Sequence, residues 1–128
     1  MTRQGNNYKL ISLQKENREE LHDKLELTGC EISINTLPKG VSVPFVHAHK
    51  QNEEIYIVVK GYGELFIDGD EFRIKAGDVI SIKPKGERCF KASNESELKF
   101  ICIQAKAGSL EQFTMSDGEI TAAKPSWF

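Results

Sequence analysis

From Cys30 onward, short runs of apolar and β-branched residues alternate with polar ones and recur every eight to twelve residues. Gly, Pro, Asn and Asp separate the runs, a rhythm that belongs to an all-β sandwich or barrel rather than to alternating β and α units. The predicted strands are Cys30 to Leu37, Val41 to His49, Glu54 to Val59, Glu64 to Asp68, Glu71 to Ile74, Asp78 to Lys83, Arg88 to Ala92 and Leu98 to Ala105. Asp68-Gly69 falls between two of them and suits a tight hairpin, because glycine tolerates the positive φ such turns require. Eight strands is the count of a double-sheet jelly roll. Before Cys30 the period changes. Asn17 and Glu20 have the spacing of a helix N-cap and its reciprocal partner, Leu21 and Leu25 lie one turn apart, and Gly29 stands where a helix would stop. This predicts a short helix over Arg18 to Leu27. Lys106 to Phe128 reads as an irregular tail whose apolar residues, Phe113, Met115, Trp127 and Phe128, should pack against the body.

Strand parity assigns faces. If Glu54 points inward, so do Tyr56 and Val58, while Ile55 and Ile57 point out. On the last strand Phe100, Cys102 and Gln104 point in, and Ile101 and Ile103 out. Four outward isoleucines form a patch too apolar to be left to water. The expected covers are the N-terminal helix, the tail or a second copy of the chain in a twofold homodimer, the commonest closed assembly.

Composition narrows the function. The 128 residues are one domain's worth, and 17 basic against 19 acidic residues leave a net charge of -2. Such a balance offers no cationic face, so nucleic acid is not an expected partner. No apolar stretch approaches the ~20 residues that span a bilayer, so no membrane partner is expected either. The first residues lack the apolar segment of a signal peptide, which makes the cytoplasm the expected location. Cys30, Cys89 and Cys102 are odd in number and form no CxxC pair, which argues against a disulfide framework.

The chemistry concentrates between Gly40 and Gly61. His47 and His49, two apart on an extended segment, project from one face, and a carboxylate on the next strand can join them around a divalent ion. Imidazole with carboxylate suits Zn, Fe, Mn, Ni or Co rather than Ca or Mg. The stretch resembles the first motif of the cupin superfamily, in which glycine, five residues, His-x-His, three or four residues, glutamate, six residues and glycine follow in order. Here six residues separate Gly40 from His47, four separate His49 from Glu54, and six separate Glu54 from Gly61. Glu53 also fits the shorter spacing, but Glu54 alone keeps the six that follow. The second motif resembles Gly77-Asp-Val-Ile-Ser-Ile-Lys-Pro84-Lys-Gly86-Glu-Arg-Cys89, with Asn94 one residue late.

Where the family places a third histidine, this chain has Cys89. The resemblance therefore implies a double-stranded β-helix, or jelly-roll barrel, holding one divalent transition metal by His47, His49 and Glu54, with Cys89 as fourth ligand. A thiolate would favour Zn. It further implies a small polar metabolite as partner. An isomerase or epimerase, a dioxygenase, a non-catalytic binder or sensor, and a barrel with a vestigial site all remain open at this point, because a fold hosts many functions.

Overall fold

In the computed structural model, which describes residues 2–114 and 116–128, the chain is a β-barrel with one helical turn. The strands are β1 (Thr2–Gln4), β2 (Lys9–Ile11), β3 (Arg18–Glu20), β4 (Glu31–Leu37), β5 (Asn52–Ile67), β6 (Asp70–Lys75), β7 (Val79–Ile82), β8 (Arg88–Ala92) and β9 (Leu98–Lys106). The helix α1 (His22–Leu25) lies between β3 and β4. β1 and β2 pair as a separate hairpin, and β3, β4, β9 and β5 follow one another across the main sheet.

The 16-residue β5 organises the barrel by running through both of its layers. Its first half pairs with β9 and β7, and its second half pairs with β6 and β8. The two runs read from sequence as Glu54 to Val59 and Glu64 to Asp68 are thus one strand, bent by a register shift between Val58 and Lys60. A bulge of this kind adds one residue and reverses which parity faces inward. Gly61, just beyond it, has φ of +75°, and any side chain there would run into the carbonyl of Glu97. Before the shift Glu54, Tyr56 and Val58 point inward, and after it Gly63 and Leu65 do. The core joins those residues to Ile74, Ile82, Phe90, Ala92, Leu98, Phe100 and Cys102. Phe90 and Phe100 stack in its middle with ring centroids 5.1 Å apart, and Tyr56 packs tilted against both.

Two predicted elements differ. Arg18 to Leu27 is not one helix: Arg18–Glu20 pairs as a strand with β4, and only four residues coil. A helix of this length gains little from its own hydrogen bonds, so sheet pairing prevails over the capping pattern. Asn17 caps nothing. The amides of Leu21 and His22 are capped instead by the carboxylate of Glu31, at 3.2 and 2.8 Å. The turn ends at Glu26, in left-handed conformation, rather than at Gly29. Val41 to His49 is likewise no continuous strand. Pro44 has no N–H to give to a ladder, and the segment pairs with β8 through isolated bridges, Ser42 to Lys91 and His47 to Arg88, instead of a continuous ladder.

The tail departs as well: Phe113, Trp127 and Phe128 are each more than four-fifths exposed rather than packed. Met115 lies outside the described residues.

Candidate metal centre

His47 is fixed by a reciprocal backbone pair with Arg88, its N–H donating to the Arg88 carbonyl at 3.1 Å and accepting that residue's N–H on its own carbonyl at 3.0 Å. The His49 carbonyl accepts the N–H of Lys85, so both ends of the His-x-His are tied to the β7–β8 connection. Glu54 rises from β5 beneath them. One ligand atom from each of His47, His49 and Glu54 lies within 4.8 Å of the others. The Nε2 atoms stand 3.9 Å (His47) and 3.3 Å (His49) from Glu54 Oε1. Among the described residues the buried His49 Nε2 makes no hydrogen bond, only its 3.3 Å approach to Glu54, an arrangement that costs free energy unless something else completes it. Two imidazoles and a carboxylate in such proximity could hold a divalent transition metal.

The glutamate is held from three sides. Tyr56 Oη donates to its Oε1 at 2.7 Å, Cys102 Sγ donates to its Oε2 at 3.0 Å, and Arg88 Nη2 lies 2.9 Å from Oε1. Burial alone would raise the Glu54 carboxyl, but those two hydrogen bonds and the charges of His49 and Arg88 outweigh it and hold the group below the ordinary carboxylate range. Burial and the charge of Arg88 push His47 below its usual value, against the opposing pull of Glu54. Burial, then the Glu54 carboxylate, push the Cys102 thiol up to about 12. Tyr56 is raised too, first by burial. Both hydroxyl and thiol therefore stay protonated and serve as donors.

Cys89 is not brought into this group. On β8 the pairing of Leu65 with Phe90 and of Gly63 with Ala92 sets the parity, so Arg88, Phe90 and Ala92 are buried and Cys89, alternating with them, is half-buried at the cavity wall beside Ser42 and Val43. Its thiol donates to the Val43 carbonyl at 3.2 Å. The residue one place earlier, Arg88, takes the inward position beside Glu54. Its role escapes a motif search, because the motif counts residues and does not count parity.

His47, His49 and Glu54 line a cavity of about 710 Å³. Tyr56, Phe90 and Phe100 form an aromatic wall, while Ser33, Asn35, Gln104 and Arg18 bring polar groups to it. Gln104 is oriented by the amide of Asn52 at 3.0 Å. Such a site, mostly apolar with a few convergent polar groups, is the usual form of a small-molecule pocket.

A jelly-roll barrel with a His-His-Glu cluster facing its cavity is the architecture of the cupins, and the cupin domain family model matches residues 33–104. The chain belongs to that family. It is similar to a cupin protein from Bacteroides fragilis of known structure, 51% identical, with a TM-score of 0.88 over 91% of this chain and 99% of the other. It is 35% identical over 66 residues to an uncharacterised protein of Methanocaldococcus jannaschii, a match covering 52% of each chain. The match thus spans about half the length of that relative. An oxalate-binding protein of Thermotoga maritima is 29% identical over 86 residues, 67% of either chain.

Proposed function

We propose that the protein is a metal-binding cupin that takes a small polar metabolite into its barrel. His47, His49 and Glu54 hold one divalent transition metal, and the cavity above it receives the ligand. The observation that carries this reading is the convergence of three candidate ligand atoms within 4.8 Å, with the buried His49 Nε2 making no hydrogen bond among the described residues. With the Cys89 thiol turned to a carbonyl, the donor set holds no sulfur, so Zn loses its special claim among Zn, Fe, Mn, Ni and Co. When bound, the ion supplies a Lewis acid able to polarise a carbonyl or hydroxyl.

Isomerisation or epimerisation is the reaction such a centre suits best, whereas dioxygenase chemistry requires a redox metal. Binding without turnover is the second reading, and one observation favours it. Tyr56 and Cys102 both donate to Glu54, and Glu31 accepts three backbone amides, so these cavity groups are engaged rather than free to shuttle a proton. The name of the Thermotoga relative also speaks for binding a small polar molecule.

Elemental analysis of purified protein tests the centre: one equivalent of a transition metal is expected, falling sharply in His49→Ala and Glu54→Ala with circular dichroism unchanged. Full metal content in both variants rejects it.

A further inference from the structure

The strand that replaces the expected helix carries a side chain into the cavity. In β3, Arg18 pairs with Asn35 and Glu20 with Ser33, whereas Glu19 pairs with Ile34. Residues paired directly across two strands share a face. Asn35 and Ser33 are buried and line the cavity, so Arg18 stands on the cavity face and Glu19 on the outer one. The Arg18 guanidinium is aimed: Nη1 donates to Asn35 Oδ1 at 2.6 Å, and the Asn35 amide is itself fixed by donating to Ser33 Oγ at 2.9 Å. Nε donates to Glu20 Oε1 at 3.1 Å, an exposed pair that costs little to rearrange. Among the described residues Nη2 meets no partner, although it belongs to a group built for planar, two-pronged recognition of carboxylates.

Charge around the cavity points the same way. Its charged lining residues are Arg18, Arg88, Glu31 and Glu54. Glu31 Oε1 is committed to the backbone amides of Leu21, His22 and Ile32. Two cations and two carboxylates balance, and a divalent ion on His47, His49 and Glu54 leaves two positive charges in excess. The Arg18 side chain is 62% exposed and water screens its charge, but Arg88 and Glu54 are buried, and an excess of positive charge beside them favours a ligand that brings negative charge.

We infer that Arg18 is the specificity-determining residue of the cavity, and that the ligand it selects is a small carboxylate whose anionic group pairs with the Arg18 guanidinium. The charge excess rests on the metal reading above, but the placement of Arg18 does not. Arg18 touches ligand and not metal, and it sits on the barrel's edge strand, where sequence periodicity suggests a helix face turned to solvent.

Calorimetric titration with malonate and with glycerol, on wild type, Arg18→Met and Arg18→Lys, tests the inference, with metal content measured in parallel. Malonate is expected to bind wild type at least about tenfold more tightly than glycerol does. Arg18→Met should lose about tenfold or more of the malonate affinity with metal content and glycerol binding unchanged, and Arg18→Lys should recover part of it. Equal malonate affinity in wild type and Arg18→Met, no malonate binding to wild type, or glycerol binding as well as malonate overturns the assignment. If wild type carries no metal, the metal reading fails, but a malonate affinity that still falls in Arg18→Met sustains the role of Arg18.

Discussion

Arg88 Nη2 stands 2.9 Å from Oε1 of Glu54, and both side chains are buried. Their strands approach from opposite layers of the barrel, so the ion pair ties β8 to β5 at the cavity floor. Arg88 also donates through Nη1 to the Gly86 carbonyl at 2.7 Å, which anchors the turn leading into β8. Removing one partner of a buried pair leaves the other charge stranded at a cost of about 3–5 kcal/mol. Arg88→Met is therefore expected to lose several kcal/mol in urea denaturation. The double variant Arg88→Met with Glu54→Gln should be more stable than the single one, because no lone charge remains. A single variant as stable as wild type would show that the pair holds nothing together.

The pH dependence of stability follows from the two shifted groups nearest the cavity. In the protein stripped of metal by a chelator, Glu54 has a folded pKa below its ordinary 4.5. Below that ordinary value the unfolded chain takes up a proton the folded one refuses, so stability present above about pH 4.5 is lost as the pH falls through the folded value. His47 acts in the same direction at higher pH, since its folded pKa lies below 6.5. Tm measured in chelator should be level between about pH 7 and 8, begin to fall below about 6.5, and fall further below about 4.5. Tyr56→Phe removes a hydrogen bond that favours the carboxylate, so the acid limb should move to higher pH. A Tm that stays level from pH 7 to 5 would contradict the shift at His47.

How far the sequence could be read depended on whether a pattern is local. The inward set Glu54, Tyr56, Val58, Phe100 and Cys102 follows from alternation alone, and all five are buried. The convergence of His47, His49 and Glu54 likewise follows from their spacing over a short stretch of chain. Cys89 and Arg88 mark the boundary of such reading: which of two neighbours faces inward is set by cross-strand pairing with Leu65, and that register is visible only in the fold. β3 was illegible for a related reason. Asn17, Glu20, Leu21 and Leu25 satisfy a helix template, but the neighbouring edge of β4 offers backbone hydrogen bonds that a sequence window cannot see.

Cys89 can be tested directly. Its thiol donates to the Val43 carbonyl and approaches Ser42 Oγ at 3.8 Å, and it does not join the cluster of His47, His49 and Glu54. Cys89→Ser keeps a donor of similar size, so metal content and metal affinity should match wild type. Loss of a full equivalent of metal in Cys89→Ser, under conditions where His49→Ala also loses it, would return the sulfur to the coordination set.

The outer face of the main sheet carries the last prediction. Ile32, Ile103 and Ile55 lie side by side on β4, β9 and β5, and Ile34, Ile101 and Ile57 form a parallel row beneath them. All six are half-buried, and Val79, paired with Ile57, is 63% exposed. The residues around Leu13 to Glu16 reach this face beside Ile34, Thr36 and Lys99, where the amides of Gln14 and Glu16 bond to Glu19. The described tail leaves Phe113, Trp127 and Phe128 exposed and so provides no apolar cover. A second copy related by a twofold axis would bury both rows at once, using one patch twice. Each isoleucine side chain fully withdrawn from water contributes about 1.5–3 kcal/mol. Light scattering at micromolar concentration should thus report twice the chain mass of 14.4 kDa. Ile101→Lys should halve that mass while circular dichroism and metal content hold, because the side chain faces away from the core. A wild-type monomer would reject the dimer, and an Ile101→Lys that unfolds would show that the face is covered by the chain's own segments.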